Sequence, residues 1–313
     1  MGFTKFLNES KWNQLKLSDV EVDDQYQKFF KSAKLNEVYY VYVDKNNMNL
    51  NKNFYTVLIK YGSIMKLPIV EIFASLQGEG PRIRPAVFIR TALCSLKCPG
   101  FCCKLKAPDG TIIQGCDTIR AVSPKFKSNW TYFEDFNDIL EVVREKTKIW
   151  NKVNYDVVFT GGEPLLHWNN DIFQNLLKHF ITENHKVTIE TNTTPNIKIS
   201  EDYQKEIIFS CSVKLSNSGE TREKRLNFNN LDEISKANMY FKFVVNPKTW
   251  DTDFSEIKEI IKDRDCDVYL MPLGGNQEDL SNNTKFVVEK CIENGFCYSD
   301  RIHIRAFNTK EGV

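Results

Sequence analysis

Cysteine is the residue type whose spacing speaks first. The 313 residues contain nine cysteines, and five of them, Cys94, Cys98, Cys102, Cys103 and Cys116, fall within 23 residues. Thiolates are soft ligands that suit iron–sulfur clusters or zinc. Zinc knuckles usually hold two residues between paired cysteines, whereas three separate Cys94 from Cys98 and no histidine lies nearby. The pattern therefore favours an iron–sulfur cluster over a zinc site. Cys211, Cys266, Cys291 and Cys297 are scattered among apolar or helical patterns and read as packed thiols.

Other polar groups are spaced for binding. In Thr160-Gly161-Gly162-Glu163-Pro164 the two glycines let the backbone approach a ligand closely, and the Glu can accept from an ammonium. Glu190-Thr191-Asn192 and Ser212-Val213-Lys214 place further polar groups at strand ends. In Gln77-Gly78-Glu79-Gly80 the Gly-x-Gly lacks both the P-loop lysine and a dinucleotide fingerprint, so no phosphate loop is indicated. Gln77 and Glu79 can instead read a heterocycle edge by paired hydrogen bonds. Arg90 can clamp a carboxylate bidentately, or serve as a surface ion pair.

These groups need elements to hold them. Short β-rich runs alternate with helical stretches from residue 67 onward. Residues 86–90, 155–159, 186–190, 207–210, 240–245, 267–271 and 301–305 read as strands. Residues 133–148, 171–182, 254–262 and 285–294 read as helices. Such alternation implies a parallel sheet in an α/β fold, a partial or closed (β/α) barrel of about six units. Chemistry in such barrels gathers at the C-terminal ends of the strands, where the motifs after Phe159, Ile189, Phe209 and Leu270 stand. Residues 1–66 read as an N-terminal extension with one strand-like run over 38–43 and no recognisable chemistry, and 67–313 as the barrel domain.

Composition narrows the partners. Lys+Arg (42) and Asp+Glu (41) nearly cancel, so the basic excess of a nucleic-acid binder is missing and a small-molecule substrate is expected. No apolar run reaches the ~18 residues of a membrane span. The first residues lack the apolar core of a signal peptide, and Phe6 stands where N-myristoylation wants Ser or Thr. A reducing cytoplasm is the expected setting, which again points clustered cysteines toward metal.

Taken together, residues 67–313 resemble the 7-carboxy-7-deazaguanine synthase family, radical S-adenosylmethionine (SAM) enzymes of queuosine and related deazapurine biosynthesis. The string Ile72-Phe73-Ala74-Ser75-Leu76-Gln77-Gly78-Glu79-Gly80 is similar to that family's N-terminal strand and SLQGEG motif. Residues 84–90, Cys94, Cys98, Cys116-Asp117-Thr118, TGGEP at 160–164 and Ser212-Val213-Lys214 match it as well. The resemblance implies a partial (β/α)6-type radical SAM barrel with an N-terminal extension. It implies a [4Fe–4S] cluster on Cys94, Cys98 and Cys116, and SAM held by Gly161, Gly162, Glu163, Glu190, Asn192, Ser212 and Lys214. It further implies Mg²⁺ on Thr118, a hard oxygen for a hard cation. The substrate would be 6-carboxy-5,6,7,8-tetrahydropterin, held by Gln77, Glu79, Arg90, Thr160 and His303. A deoxyadenosyl radical would take hydrogen from its C6, and ring contraction with loss of ammonia would give 7-carboxy-7-deazaguanine, a lyase reaction that regenerates SAM. An electron donor such as flavodoxin and a homodimer are also implied.

One departure matters. Radical SAM enzymes commonly space their ligands Cys-x3-Cys-x2-Cys, but position 101 is Phe101 and seventeen residues separate Cys98 from Cys116. Asp117-Thr118 directly after Cys116 favours it as the third ligand, with Cys102 and Cys103 as alternatives. Rival readings are another radical SAM enzyme, such as a glycyl-radical activase, and a zinc-binding interaction module.

Overall fold

The computed structural model describes residues 66–151 and 153–310, with the backbone of three further strands. Those strands, β1 (Trp12–Leu15), β2 (Glu37–Asp44) and β3 (Val57–Ser63), form an antiparallel sheet in the order β1-β2-β3. They belong to a first compact unit, Met1–Met65, and the remainder forms a second, Lys66–Val313.

The second unit is built on a nine-stranded sheet. In chain order its strands are β4 (Leu67–Gln77), β5 (Arg84–Thr91), β8 (Thr131–Phe133), β9 (Asp156–Gly161), β10 (Val187–Thr191), β11 (Ile208–Cys211), β12 (Asn238–Val245), β13 (Val268–Pro272) and β14 (Cys297–Tyr298). A two-stranded hairpin, β6 (Cys103–Lys106) and β7 (Ile112–Gly115), stands apart from it. The sheet runs β14-β13-β12-β11-β10-β9-β5-β4-β8, parallel from β14 to β5, with β4 antiparallel to β5 and β8 antiparallel to β4.

Helices return the chain between strands. They are α1 (Ile119–Val122), α2 (Phe136–Thr147), α3 (Asp171–Thr182), α4 (Asp202–Lys205), α5 (Arg222–Arg225), α6 (Phe228–Ile234), α7 (Trp250–Ile261), α8 (Gln277–Asn294) and α9 (Ile302–Phe307). α3 shows why they form. The Asn170 side chain accepts from the Ile172 and Phe173 N–H groups, a cap worth about 1 kcal/mol. Ile172, Phe173, Leu176, Leu177 and Phe180 then make one buried stripe, and the Phe173 ring meets Phe159 of β9 edge-on at 5.1 Å.

Two expectations are corrected. Residues 301–305 alternate apolar and charged like a strand, yet they lie in the N-terminal turn of α9. Arg301 and Arg305 are drawn to carboxylates there, Arg301 to Glu79 and Asp117 and Arg305 to Asp300, and those pairings override a weak β-preference. The helix expected from residue 133 begins at Phe136, capped by Asp135, because Thr131–Phe133 pairs with Leu67–Ile69 as an edge strand.

The sheet curls into an open barrel. Glu79, two residues past β4, bonds Lys242 of β12 at 3.0 Å, although five strand steps separate β4 from β12. On a flat sheet that separation would be about 24 Å at ~4.8 Å per step. The Ser299 hydroxyl, just past β14, donates to the Glu79 carbonyl at 3.0 Å. The edge strands β8 and β14 do not pair, so side chains rather than a ladder close the gap.

Side-chain alternation divides the two faces of the sheet. Phe159, Ile189, Phe209, Phe241 and Phe243 point to the helices and join the main apolar core. The alternate positions form a polar rung on the inner face, in register Glu71–Arg90–Thr160–Glu190–Ser210–Tyr240 across six neighbouring strands.

Candidate active site

The cysteine loop leaves β5 under tight control. Ala92 N–H donates to the Pro68 carbonyl at 2.9 Å and Leu93 N–H to that of Ala121 at 2.7 Å. Leu93, Cys98 and Cys102 all have positive φ (75°, 47° and 57°), a conformation that costs non-glycine residues energy and tends to mark functional loops. The Glu220 carboxylate accepts from the N–H groups of Lys97 and Cys98 at 2.6 and 2.9 Å. His167 Nε2 bonds the Ala92 carbonyl at 2.8 Å, so this nitrogen carries the proton. Neither Glu220 nor His167 stands out in the sequence, because each acts on backbone atoms far along the chain.

The hairpin of β6 and β7 spans most of the long interval between Cys98 and Cys116. It pairs Cys103 with Gly115 and returns the chain so that a charge on Cys116 is felt at both Cys94 and Cys98. Burial, and then Glu163, push the Cys94 thiol up to about 12, with the Leu96 N–H opposing and the other two cysteines adding. Burial pushes Cys98 up to about 12 as well, against the Lys214 charge and with Cys116 adding. Burial and Asp117 raise Cys116, whose sulfur lies 3.2 Å from Thr118 Oγ1. Cys102 is exposed and donates to the Gly100 carbonyl at 3.4 Å. Cys103 packs against a small apolar cluster of Ala92, Ala107, Ile119, Phe126 and Trp130. Among the described residues no three His, Cys, Asp or Glu side chains are grouped to grip a single metal ion.

The TGGEP segment is keyed to this loop. Gly162 N–H donates to the Thr91 carbonyl at 3.2 Å and Glu163 N–H to that of Leu93 at 2.8 Å. A Cβ on Gly162 would stand 1.9 Å from the Leu93 oxygen, so only glycine fits. Glu163 is fully buried, and its carboxylate accepts from Thr191 Oγ1 (2.7 Å) and from the N–H groups of Asn192 (2.6 Å) and Leu165 (3.0 Å). Burial outweighs those donors and raises its pKa to about 7. The Asn192 amide donates to Ser95 Oγ at 3.1 Å and approaches Cys94 Sγ at 3.6 Å. Ser212 N–H ties to the Thr191 carbonyl at 2.7 Å, and the Lys214 charge is felt by Cys98, Cys116 and Glu163.

Glu190 belongs to a second neighbourhood, inside the barrel. Its carboxylate accepts from Thr160 Oγ1 at 2.7 Å and from Lys242 Nζ at 3.0 Å. Lys242 also donates to Glu79, which takes Arg301 Nε at 3.0 Å and has His303 Nε2 3.8 Å away. Burial alone would raise the Glu79 pKa, but Lys242 and Arg301 hold it well below the usual carboxylate range. Burial likewise opposes the Lys242 charge, and Glu190 and Glu79 restore and raise it. His303 is pushed down by burial, so its imidazole is neutral near pH 7. Arg90 pairs with Glu71 at 2.7 Å and lies over the Phe73 ring. Gln77 is buried, and its amide nitrogen has no hydrogen-bond partner.

Arg301 joins the two neighbourhoods. It bonds Glu79 on one side and Asp117, adjacent to Cys116, on the other at 2.6 Å. Sequence reading missed both Arg301 and Lys242. Lys242 did leave a signal, a lone cation in an otherwise apolar strand, whereas Arg301 left none.

Residues 76–235 match a family described as a 4Fe-4S single cluster domain. Curated relatives that bear the name 7-carboxy-7-deazaguanine synthase include those of three organisms. The Halobacterium salinarum protein is 28% identical over 77% of this chain and 91% of its own. That of Pyrobaculum aerophilum is 28% identical over 79% and 97%. That of Leptospira interrogans is 31% identical over 63% and 77%. Among solved structures, Streptococcus suis SuiB aligns with TM-score 0.42 at 15% identity, over 67% of this chain and 47% of that one.

Proposed function

This chain belongs to the 7-carboxy-7-deazaguanine synthase family, and we propose that it converts 6-carboxy-5,6,7,8-tetrahydropterin to 7-carboxy-7-deazaguanine with loss of ammonia. The observation that carries the reading is the return of Cys116 to Cys94 and Cys98 beside TGGEP.

The donor set fits a [4Fe–4S] cluster. Cys94 and Cys116 are half-buried and Cys98 is buried, each close enough to feel another's charge, and a four-iron cluster spaces its thiolates farther apart than a single ion does. Cys94, Cys98 and Cys116 would hold it, and each must give up its proton on binding. Gly161, Gly162, Asn192, Ser212 and Lys214 would hold SAM, with Glu163 fixing the turn from within. When bound, cluster and SAM supply one-electron, hydrogen-abstracting chemistry. The chain's own part is to bind, orient and exclude water.

The inner face would take the pterin. The unpartnered Gln77 amide is a donor left for a ring acceptor, and burying it unused would cost about 1–3 kcal/mol. Glu79, kept ionised by two cations, can accept from ring N–H groups, and His303 beside it is a neutral imidazole able to donate or accept. Arg90, aligned by Glu71, would take the substrate carboxylate, with Thr160 next to it in register.

Several finer points belong to the same reading. Thr118 would place Mg²⁺, whose other ligands come from substrate and water. A flavodoxin-type protein would deliver the electron. The working form would be a cytoplasmic homodimer without nucleic acid, its catalytic unit residues 67–313 and its extension 1–66. Among the described residues no helix is long and apolar enough to cross a membrane.

The test is anaerobic reconstitution with iron and sulfide, then SAM, Mg²⁺, dithionite and the pterin, with the product followed by mass spectrometry. Formation of 7-carboxy-7-deazaguanine is expected, lost in Cys116→Ala and kept in Cys102→Ala and Cys103→Ala. SAM cleavage with the pterin left intact would refute the substrate.

A further inference from the structure

Resting on the reading that Lys214 holds SAM, we infer that the buried Arg225–Glu256 pair is a positioning device. It fixes the backbone that carries Lys214 and ties that backbone to the cysteine loop. Arg225 ends α5 and Glu256 lies in α7.

Both side chains reach main-chain atoms at or just past Lys214. Arg225 Nη1 donates to the Lys214 carbonyl at 3.1 Å, and Glu256 accepts from the Ser216 N–H at 2.8 Å. Arg225 Nη2 donates to the other oxygen of Glu256, so the two residues close a bracket around residues 214–216. Val213 and Leu215, on either side of Lys214, are buried in the main core. With both neighbours packed and the carbonyl held, the direction in which the Lys214 side chain leaves the backbone is set. Its charge is felt at Cys98, Cys116 and Glu163.

As a mere structural tie this bracket would be a poor choice. The Arg225 side chain is 3% exposed and that of Glu256 15%. Removing two charges from water is seldom offset by their attraction alone, and apolar residues of similar volume often hold a fold as well. Arg225 Nε is also buried without a hydrogen-bond partner, a further cost. What the pair supplies, and apolar residues cannot, is a directed hold on one carbonyl and one N–H.

The held segment continues to the cysteine loop. Asn217 Nδ2 donates to Asp253 at 3.0 Å, and Asp253 lies three residues before Glu256 on the same face of α7. A Cβ on Gly100 would stand 2.3 Å from the Asn217 carbonyl oxygen, so the loop between Cys98 and Cys102 lies directly on this turn. Glu220 then accepts from the N–H groups of Lys97 and Cys98. Residues 214–220 are therefore a strut held by α7, with Lys214 at one end and the grip on the cysteine loop at the other.

The experiment compares wild type with Arg225→Lys and with the double variant Arg225→Met/Glu256→Leu, an apolar pair of similar size. Four properties are read: the thermal midpoint of the unloaded protein, iron retained after anaerobic reconstitution, Kd for SAM by equilibrium dialysis, and KM for the pterin at saturating SAM. The double variant should keep its midpoint within about 3 °C of wild type or exceed it. It should retain its iron and bind SAM roughly tenfold more weakly, the effect of a binding group displaced by part of an ångström. The EPR signal of its reduced cluster should need correspondingly more SAM to change, with KM for the pterin unaltered. Arg225→Lys keeps the charge without the planar fork, so its Kd should fall between. A SAM Kd within about twofold of wild type in the double variant, or in Arg225→Lys should the double variant not fold, would make the pair structural and overturn the inference. Weaker SAM binding only in step with lost iron and a midpoint lowered by more than about 5 °C would overturn it as well. A wild type that binds SAM but leaves the pterin untouched would defeat the proposed reaction and not this role, whereas one that binds no SAM would defeat both.

Discussion

His167 shows what one atom can do at this site. Its Nε2–H reaches the Ala92 carbonyl and fastens the turn that follows TGGEP to the start of the cysteine loop. Burial disfavours the charged ring, so the folded protein takes up a second ring proton, on Nδ1, less readily than the unfolded chain does. The stability it contributes is complete above the ordinary histidine value near ~6.5 and is lost as pH falls below it. His303 is shifted the same way and adds to the same decline. His167→Leu should therefore flatten part of the fall in apo-protein stability below that value. Above neutrality it should cost about 1–3 kcal/mol, because the Ala92 carbonyl loses its partner. Urea unfolding at a series of pH values checks both, and an unchanged acid limb would show that His167 does not set it.

At the scale of elements, the β6–β7 hairpin explains the unusual ligand spacing. Without it Cys116 would lie far along the chain, and with it the thiol comes back to the loop it left. The loop itself is held from the other side by Glu220 and by the close approach of Gly162. Glu220→Ala frees two backbone N–H groups, so iron retained after reconstitution should fall several-fold, whereas Glu220→Gln keeps an acceptor and should retain most of it. Gly162→Ala forces the TGGEP turn off the Leu93 carbonyl, and a loss of at least about 2 kcal/mol is expected together with loss of iron. Iron assay and thermal unfolding report both, and a Gly162→Ala protein with wild-type stability would contradict the packing described.

For the whole molecule the decisive contact is the charge chain Glu190–Lys242–Glu79–Arg301–Asp117, which ties opposite sides of an unclosed barrel together. Lys242→Met leaves two partly buried carboxylates facing each other, which should cost about 3 kcal/mol or more. Adding Glu79→Gln removes one of them, so the double variant should be less destabilised than the sum of the singles. A double-mutant cycle by urea unfolding measures this coupling. Strict additivity would mean that Lys242 and Glu79 do not hold the barrel shut.

The repeating strands and the identity of the chemistry were legible in the chain itself. Apolar runs such as Val157-Val158-Phe159 are what a strand buried on both sides requires, and cysteine at short spacing and paired glycines at a strand end admit few uses. The resemblance singled out Glu79 and Thr160 for the substrate and Glu190 for SAM, and the fold links all three through Lys242 and the Thr160 hydroxyl on the barrel's inner side. The helix over 302–307 was not legible, nor were Arg301 and Lys242 as partners of Glu79. Local sequence determines alternation and ligand type because these depend on neighbours along the chain. Which charges meet, and which buried groups are left without a partner, depends on strands that are distant in sequence and adjacent only once the sheet has curled.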